Sequence, residues 1–240
     1  MRSHRFFASI PLESNKELEL PKEVSHHCIQ VLRYSVGNSL TLFNGDGYDY
    51  PATILRTEGK KAWVLTGQKI LAQNESSLNI HLVQALAKGD KMDWVIQKCV
   101  ELGVKEITPV ISERSNVKLD PKRQAKKQEH WQKVIESACE QSGRASIPKL
   151  NSISMLKDVE LEEDSSKLFL EPSANTRFGD KLECNRIVLF VGPEGGFSAT
   201  DHSIIQLLGG QGVKLGPRIL RTETAGLAAI AILQSHYGDL

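Results

Sequence analysis

Two glycine-bearing segments near the C-terminus constrain this chain more than any other feature. They are Val191-Gly192-Pro193-Glu194-Gly195-Gly196 and Leu215-Gly216-Pro217-Arg218-Ile219-Leu220-Arg221-Thr222-Glu223-Thr224-Ala225. Each follows an apolar run of strand length and leads into a stretch with helical apolar spacing. A strand, a glycine turn and a helix, repeated, predict an α/β domain with a mainly parallel sheet. In open sheets of that kind, ligands bind in the crevice at the strand ends, where such loops lie.

The rest of the chain divides into two patterns. The first part reads as a small β-rich unit, with strands over Arg5–Ile10, Ser39–Phe43, Tyr48–Arg56 and Ala62–Gln68 and a short helix over Val24–Arg33. Asn44-Gly45-Asp46-Gly47 is a strong turn signal between two of those strands. Closely spaced strands joined by tight turns predict a small barrel or curled sheet. The polar run Gln73-Asn74-Glu75-Ser76-Ser77 reads as a linker, which puts the domains at 1–73 and 74–240. Beyond it, strands are expected over Leu78–Leu86, Glu106–Ile111, Lys167–Leu170, Ile187–Val191 and Val213–Leu215. They alternate with helices over Asp90–Leu102, with Asp90 as N-cap, and over Pro121–Ser142, and with two more that start at Ser198 and Thr222. The last of these is rich in alanine and glycine, so it is expected to be buried and to allow close backbone approach, in part at a subunit interface.

Composition sets milder limits. A net charge of +1 on 240 residues argues against a uniformly basic nucleic-acid binder, but residues 75–150 carry 13 Lys/Arg against 10 Asp/Glu. The densest basic stretch runs from Arg114 to Lys127, which suits a polyanion on one side and equally suits a solvated helix face. Cys28, Cys99, Cys139 and Cys184 form no CxxC pair, so reduced thiols are expected rather than a disulfide frame or zinc site. His26-His27-Cys28 has no partner cluster, and no metal is expected there. No apolar segment approaches membrane-spanning length and the N-terminus does not read as a secretory signal, so a cytoplasmic protein is expected.

The two loops match neither of the common phosphate cradles. There is no GxGxxG, and no lysine follows as in a P-loop. Glycines at these places bring backbone N–H groups close to a ligand, and Ser198 is placed to cap the next helix, with Asp201 where a capping box normally has Glu or Gln.

In this order and spacing, the two loops resemble the closing motifs of the SPOUT superfamily of S-adenosylmethionine-dependent RNA methyltransferases. The chain more closely resembles the family of 16S ribosomal RNA (uracil-N3) methyltransferases, through Arg5–Phe7, Val31–Arg33, Lys88–Asp93, Gln97–Gly103, Arg114-Ser115 and Glu140–Arg144 as well. The resemblance covers nearly the whole chain. It implies a PUA-like RNA-binding barrel followed by a domain with a deep trefoil knot, an exception to ordinary topology that periodicity does not show. It also implies a homodimer, a 16S rRNA or 30S-subunit substrate, and S-adenosylmethionine held by three loops. Those would be Leu170-Glu171-Pro172, Gly192-Pro193-Glu194-Gly195-Gly196, and a third segment supplying Leu215, Gly216, Ile219, Leu220, Arg221, Thr222 and Ala225.

Transfer to uridine N3 needs a proton removed from a weakly acidic position or the resulting anion stabilised. Glu194 and Glu223 are the candidate bases, and Arg221 and Arg144 the candidate stabilising cations. Arg5, Arg33, Lys88, Arg114, Lys118 and Arg144 are the candidate phosphate contacts. Two other readings are a non-catalytic RNA-binding module, which leaves the loops unexplained, and an enzyme of phosphorylated metabolites, which lacks the phosphate-binding lysine.

Overall fold

A computed structural model of the protein describes residues 4–115, 120–176, 178 and 185–240. Lys118 and Cys184, named above, lie outside the described residues. The chain forms two compact units, Met1–Glu75 with Glu136–Ile147, and Ser76–Ile135 with Pro148–Leu240. The first break thus falls close to the expected linker. The return of Glu136–Ile147 to the first unit departs from the expected single division at 73/74.

In the first unit, six strands form a mixed sheet ordered β1 (Arg5–Phe7), β3 (Ser39–Phe43), β4 (Tyr48–Glu58), β5 (Lys61–Thr66) and β2 (Glu17–Glu19), with β6 (Ile70–Leu71) on β4. β1 and β3 are parallel and the other pairs antiparallel. Alternation along β4 and β5 turns Tyr50, Ala52, Ile54, Ala62 and Val64 inward onto Phe6, Leu20, Val24, Cys28, Leu40 and Leu42. A register shift between Ile54 and Arg56 bends β4, which lets so long a strand curl around that core. In the predicted turn, Gly45 and Gly47 have φ of 93° and 86°, and the Asp46 carboxylate accepts from the Tyr48 N–H and the Tyr50 hydroxyl. The expected helix over Val24–Arg33 is shorter and irregular: α1 (Lys22–His26) widens into a π-helical turn, His27–Val31. Arg33 follows it at φ 56°. Strand β1 ends at Phe7, not Ile10.

In the second unit, seven parallel strands run in the order β10 (Ser154–Met155), β8 (Glu106–Ile111), β7 (Asn79–Ala85), β12 (Arg186–Val191), β11 (Ser166–Leu170) and β13 (Gln211–Val213), with β9 (Lys149–Leu150) also on β8. The near-continuous apolar runs are buried, as strands covered on both faces require. Helix α2 (Lys91–Glu101) turns Met92, Val95, Ile96, Cys99 and Val100 inward; Asp90 stands at its N-cap position, but its side chain makes no capping bond. Helix α3 (Pro121–Ser142) has the expected bounds. Helix α4 (Ala199–Leu207) carries a complete capping box, in which Asp201 substitutes for the usual Glu: Ser198 Oγ accepts from the Asp201 N–H, and the Asp201 carboxylate accepts from the Ser198 N–H.

Two expectations need correction here. The last strand is Gln211–Val213, not Val213–Leu215. Gly209 ends α4 at φ 87°, and a Cβ on Gly210 would lie 2.4 Å from the Ile205 side chain, so the chain turns at once into β13. Leu215 is thereby freed from the sheet. Helix α5 (Thr222–Tyr237) is only half buried: Gly226, Ala229, Ile230 and Leu233 are covered, whereas Leu227, Ala228, Ala231 and Ile232 remain partly open.

Burial of His81 on β7 makes stability pH-dependent. Its Nε2 lies 2.7 Å from the Thr108 hydroxyl, and burial, helped by Lys149 and opposed by Glu106, holds its pKa below 6.5. A histidine depressed in the folded state binds its proton more readily when unfolded. Its contribution is therefore whole above pH 6.5 and is lost as pH falls below that value. Urea unfolding at stepped pH is expected to show stability falling as pH drops below about 6.5, with that slope reduced in His81→Gln. An unchanged slope in the variant would assign it to other groups.

Candidate functional site

Because the strands of the second unit are parallel, β11, β12 and β13 deliver their C-terminal ends, Leu170, Val191 and Val213, to one edge. The loops that follow enclose a cavity of about 400 Å³, within the range of small-molecule sites.

Leu170, Glu171 and Pro172 form the first wall. The Glu171 carboxylate accepts from the Ser173 N–H and hydroxyl at 3.0 and 2.7 Å, and His202 Nε2 lies 2.9 Å from it. Burial pushes against ionisation, but these donors hold the Glu171 carboxyl below the usual range.

Gly192, Pro193, Glu194 and Gly196 form the second wall. Gly196 turns the chain at φ 67° and its N–H returns to the Pro193 carbonyl. A side chain at Gly192 would crowd the loop backbone, since a Cβ would stand 3.2 Å from the Phe197 nitrogen. The Thr222 hydroxyl donates to the Gly192 carbonyl at 2.5 Å and accepts from the Gln84 amide at 3.1 Å, which ties this loop to the start of α5. Gly195 is not among the lining residues. Its carbonyl accepts from the Arg114 guanidinium at 2.9 Å and its Cα faces the Arg114 side chain.

The third wall is Leu215, Gly216, Ile219, Leu220, Arg221, Thr222 and Ala225, all expected, together with Lys214 and Arg218. Gly216 sits at φ 136°, open only to glycine at low cost. Ile219 is 84% exposed, and Arg218 and Arg221 are exposed as well.

Lys91 completes the lining and was not foreseen. It is the first residue of α2. Its ammonium bonds the Glu194 carboxylate at 3.0 Å and lies 3.4 Å from Glu223 Oε2. The parallel-sheet rule held the missed signal: a helix that follows β7 starts at the same sheet edge as the loops after β11 and β12. Burial opposes the ionised form of Glu194. Its own N–H, the Lys91 ammonium and the Lys88 N–H together hold it below the usual carboxylate range, and Lys91 is raised in return. Glu223 does not line the cavity directly; its Oε2 is buried and makes no hydrogen bond.

The predicted phosphate contacts separate. Arg33 and Lys88 are exposed. Arg114 is exposed but holds the second loop through Gly195 and Phe197. Arg5 is mostly buried, with its guanidinium on Asp49 at 2.5 Å and over the Phe43 ring. Arg144 is corrected: it is 3% exposed in the first unit, and two of its nitrogens grip Glu75 at 3.0 and 2.7 Å. A charge so committed is not an open phosphate contact, and Arg144 is not among the residues that line the cavity.

Among the described residues, no group of three or more His, Cys, Asp or Glu is arranged to hold a metal ion, and no helix is long and apolar enough to cross a membrane. Cys28, Cys99 and Cys139 are free and buried, and burial pushes the Cys28 and Cys139 thiols up to about 12.

The cavity suits an S-adenosyl nucleoside. Leu170, Val191, Leu215, Leu220 and Ala225 give apolar walls for a purine, loop backbone supplies polar groups, and the lining carboxylates of Glu171 and Glu194 suit a cationic centre.

Comparison with known proteins agrees with that geometry. Residues 74–234 match the model of an RNA methyltransferase domain, and residues 20–66 that of an RNA methyltransferase PUA domain. The ribosomal RNA small subunit methyltransferase E of Buchnera aphidicola subsp. Schizaphis graminum is 36% identical over 100% of this chain and 98% of its own. That of Bacillus subtilis is 28% identical over 95% of each. A Legionella pneumophila methyltransferase in complex with bound SAM is 40% identical, superposes with a TM-score of 0.95, and both chains are covered to 100%. A Neisseria gonorrhoeae ribosomal RNA small subunit methyltransferase E bound to S-adenosylmethionine gives 38% and 0.93, again over 100% of both chains. With both domain models matched in order and relatives aligned from end to end, the chain belongs to the ribosomal RNA small subunit methyltransferase E family of RNA methyltransferases.

Proposed function

We propose that the protein methylates N3 of one uridine in 16S ribosomal RNA, on free RNA or the 30S subunit, with S-adenosylmethionine as donor and in the cytoplasm. The observation that carries this reading is the three-loop cavity, in a chain superposing at TM-scores of 0.95 and 0.93 on two cofactor-bound methyltransferases. When bound, the sulfonium supplies an electrophilic methyl group and leaves as a neutral thioether. The three loops hold and orient the donor by wall and backbone contacts. Glu223, with its unbonded Oε2, takes the uridine N3 proton. Arg221, at the mouth of α5, stabilises the negative charge then spread over the uracil ring. Glu194 is a weaker base, since Lys91 and two N–H groups hold it ionised. Because N3 lies on the base-pairing edge, the target uridine is unpaired or flipped outward.

The partly open side of α5 serves a homodimer, and the chain around β11–β13 and α5 is threaded as a trefoil knot; the strand order, with β12 between β7 and β11, supports that threading. The direct test is transfer of labelled methyl groups from S-adenosylmethionine to 16S rRNA or 30S particles. Transfer supports the reading, and cofactor binding without transfer to either sinks it.

RNA docks in part on α3, where Lys122 and Lys126 stand exposed one turn apart. Reversing both charges, Lys122→Glu with Lys126→Glu, is expected to weaken RNA binding by at least about tenfold. It should flatten the salt dependence by roughly one unit of slope per lost contact. Cofactor affinity should stay as in wild type. Equal weakening of cofactor binding would instead point to a folding defect.

A further inference from the structure

Lys91 stands between two carboxylates that come from different elements. Glu194 lies on the loop after β12 and Glu223 in the first turn of α5, at 3.0 and 3.4 Å from its Nζ. Both oxygens facing one ammonium nitrogen are therefore close enough to repel each other strongly without it. Only the Glu194 contact is a well-aligned hydrogen bond. Glu223 Oε2 is buried, close to the cation and yet unbonded, which leaves an acceptor in place for a proton or a ligand donor. Glu171, Lys214, Arg218 and Arg221 complete the charged groups that line the cavity.

We propose that Lys91 is a positioning residue for methyl transfer, a shared counter-ion that ties Glu194 to the start of α2 and keeps Glu223 Oε2 poised as the proton acceptor. This rests on the reading of Glu223 given above. The ammonium divides the labour between the two acids. One carboxylate is consumed in a structural bond that fixes the second loop, and its neighbour faces the same ammonium with Oε2 not engaged in a hydrogen bond. During turnover the uridine N3–H bond breaks and its proton passes to Glu223. The N3 electron pair forms the new bond to the methyl carbon, and the proton later leaves Glu223 for solvent. Lys91 keeps its own protons throughout.

The test compares wild type with Lys91→Met and Lys91→Arg. Carboxylate titrations by NMR on glutamate-labelled, cofactor-free protein are assigned with Glu194→Gln and Glu223→Gln. In Lys91→Met, the Glu194 carboxyl is expected to titrate about one pH unit or more higher than in wild type, because the ammonium that holds it ionised is gone. The acid limb of kcat/KM should move up by a similar amount, with kcat near neutral pH reduced at least about tenfold. Lys91→Arg should restore most of both, and thermal unfolding should show each variant folded. Titrations and an acid limb that coincide with wild type in Lys91→Met overturn the proposal even if activity falls, and so does an arginine variant that behaves like the methionine one. If wild-type protein methylates no RNA, the functional reading fails, and the carboxylate titrations still decide the role of Lys91.

Discussion

Replacing Arg144 with alanine is expected to destabilise the first unit by about 3–5 kcal/mol, the usual cost of leaving one partner of a buried ion pair uncompensated. Arg144 is 3% exposed and grips Glu75 through two guanidinium nitrogens, and its own carbonyl accepts from the Arg5 guanidinium. Removing the cation leaves a carboxylate whose side chain is 20% exposed without its partner, and it opens a void where a planar fork had been packed. Lysine should not rescue the loss, because an ammonium cannot make the paired contact. The double variant Arg144→Leu with Glu75→Leu should recover a large part of it, since burying no charge costs less than burying one. Chemical unfolding followed by the tryptophans checks this. A loss below about 1 kcal/mol in Arg144→Ala would return the residue to the list of open cations.

Arg221→Ala should give the opposite profile. Arg221 is exposed, makes no capping bond to α5, and lines the cavity. Exposed side chains of that kind contribute little to stability, so the unfolding midpoint should barely move. If its guanidinium meets the anionic uracil, turnover should fall by about 10²-fold or more, as when one preorganised stabiliser of developing charge is lost. The fall should appear in kcat more than in cofactor affinity. Near wild-type turnover would remove Arg221 from the chemistry and leave Lys91 as the cation nearest the candidate base.

The contrast between the two arginines shows what the sequence made legible. Arg144 ends the polar run Gln141-Ser142-Gly143-Arg144 and Arg221 follows the apolar pair Ile219-Leu220, and local pattern does not tell which of the two is buried. Arg144 is buried because Glu136–Ile147 joins the first unit, a tertiary fact, and the continuous helix α3 carries no break at the point where that grouping begins. Helix α3 itself was readable to the residue, through its opening proline and the long, charged run that follows. Strands β2, β9 and β10 were not, since two or three residues carry no periodicity. The second and third loops could be read because glycine positions announce their backbone needs directly, whereas Leu170-Glu171-Pro172 carries no glycine and was reached only through the family resemblance. Lys91 escaped because its importance lies in two partners more than 100 residues away along the chain.

Mapping the methylated nucleoside tests the central claim most directly. Small-subunit RNA lacking this modification would be incubated with the protein and methyl-labelled S-adenosylmethionine, digested to nucleosides and resolved by mass spectrometry against standards. The account predicts label in N3-methyluridine at a single position. Label on another atom or another base, or no label despite cofactor binding, would contradict it.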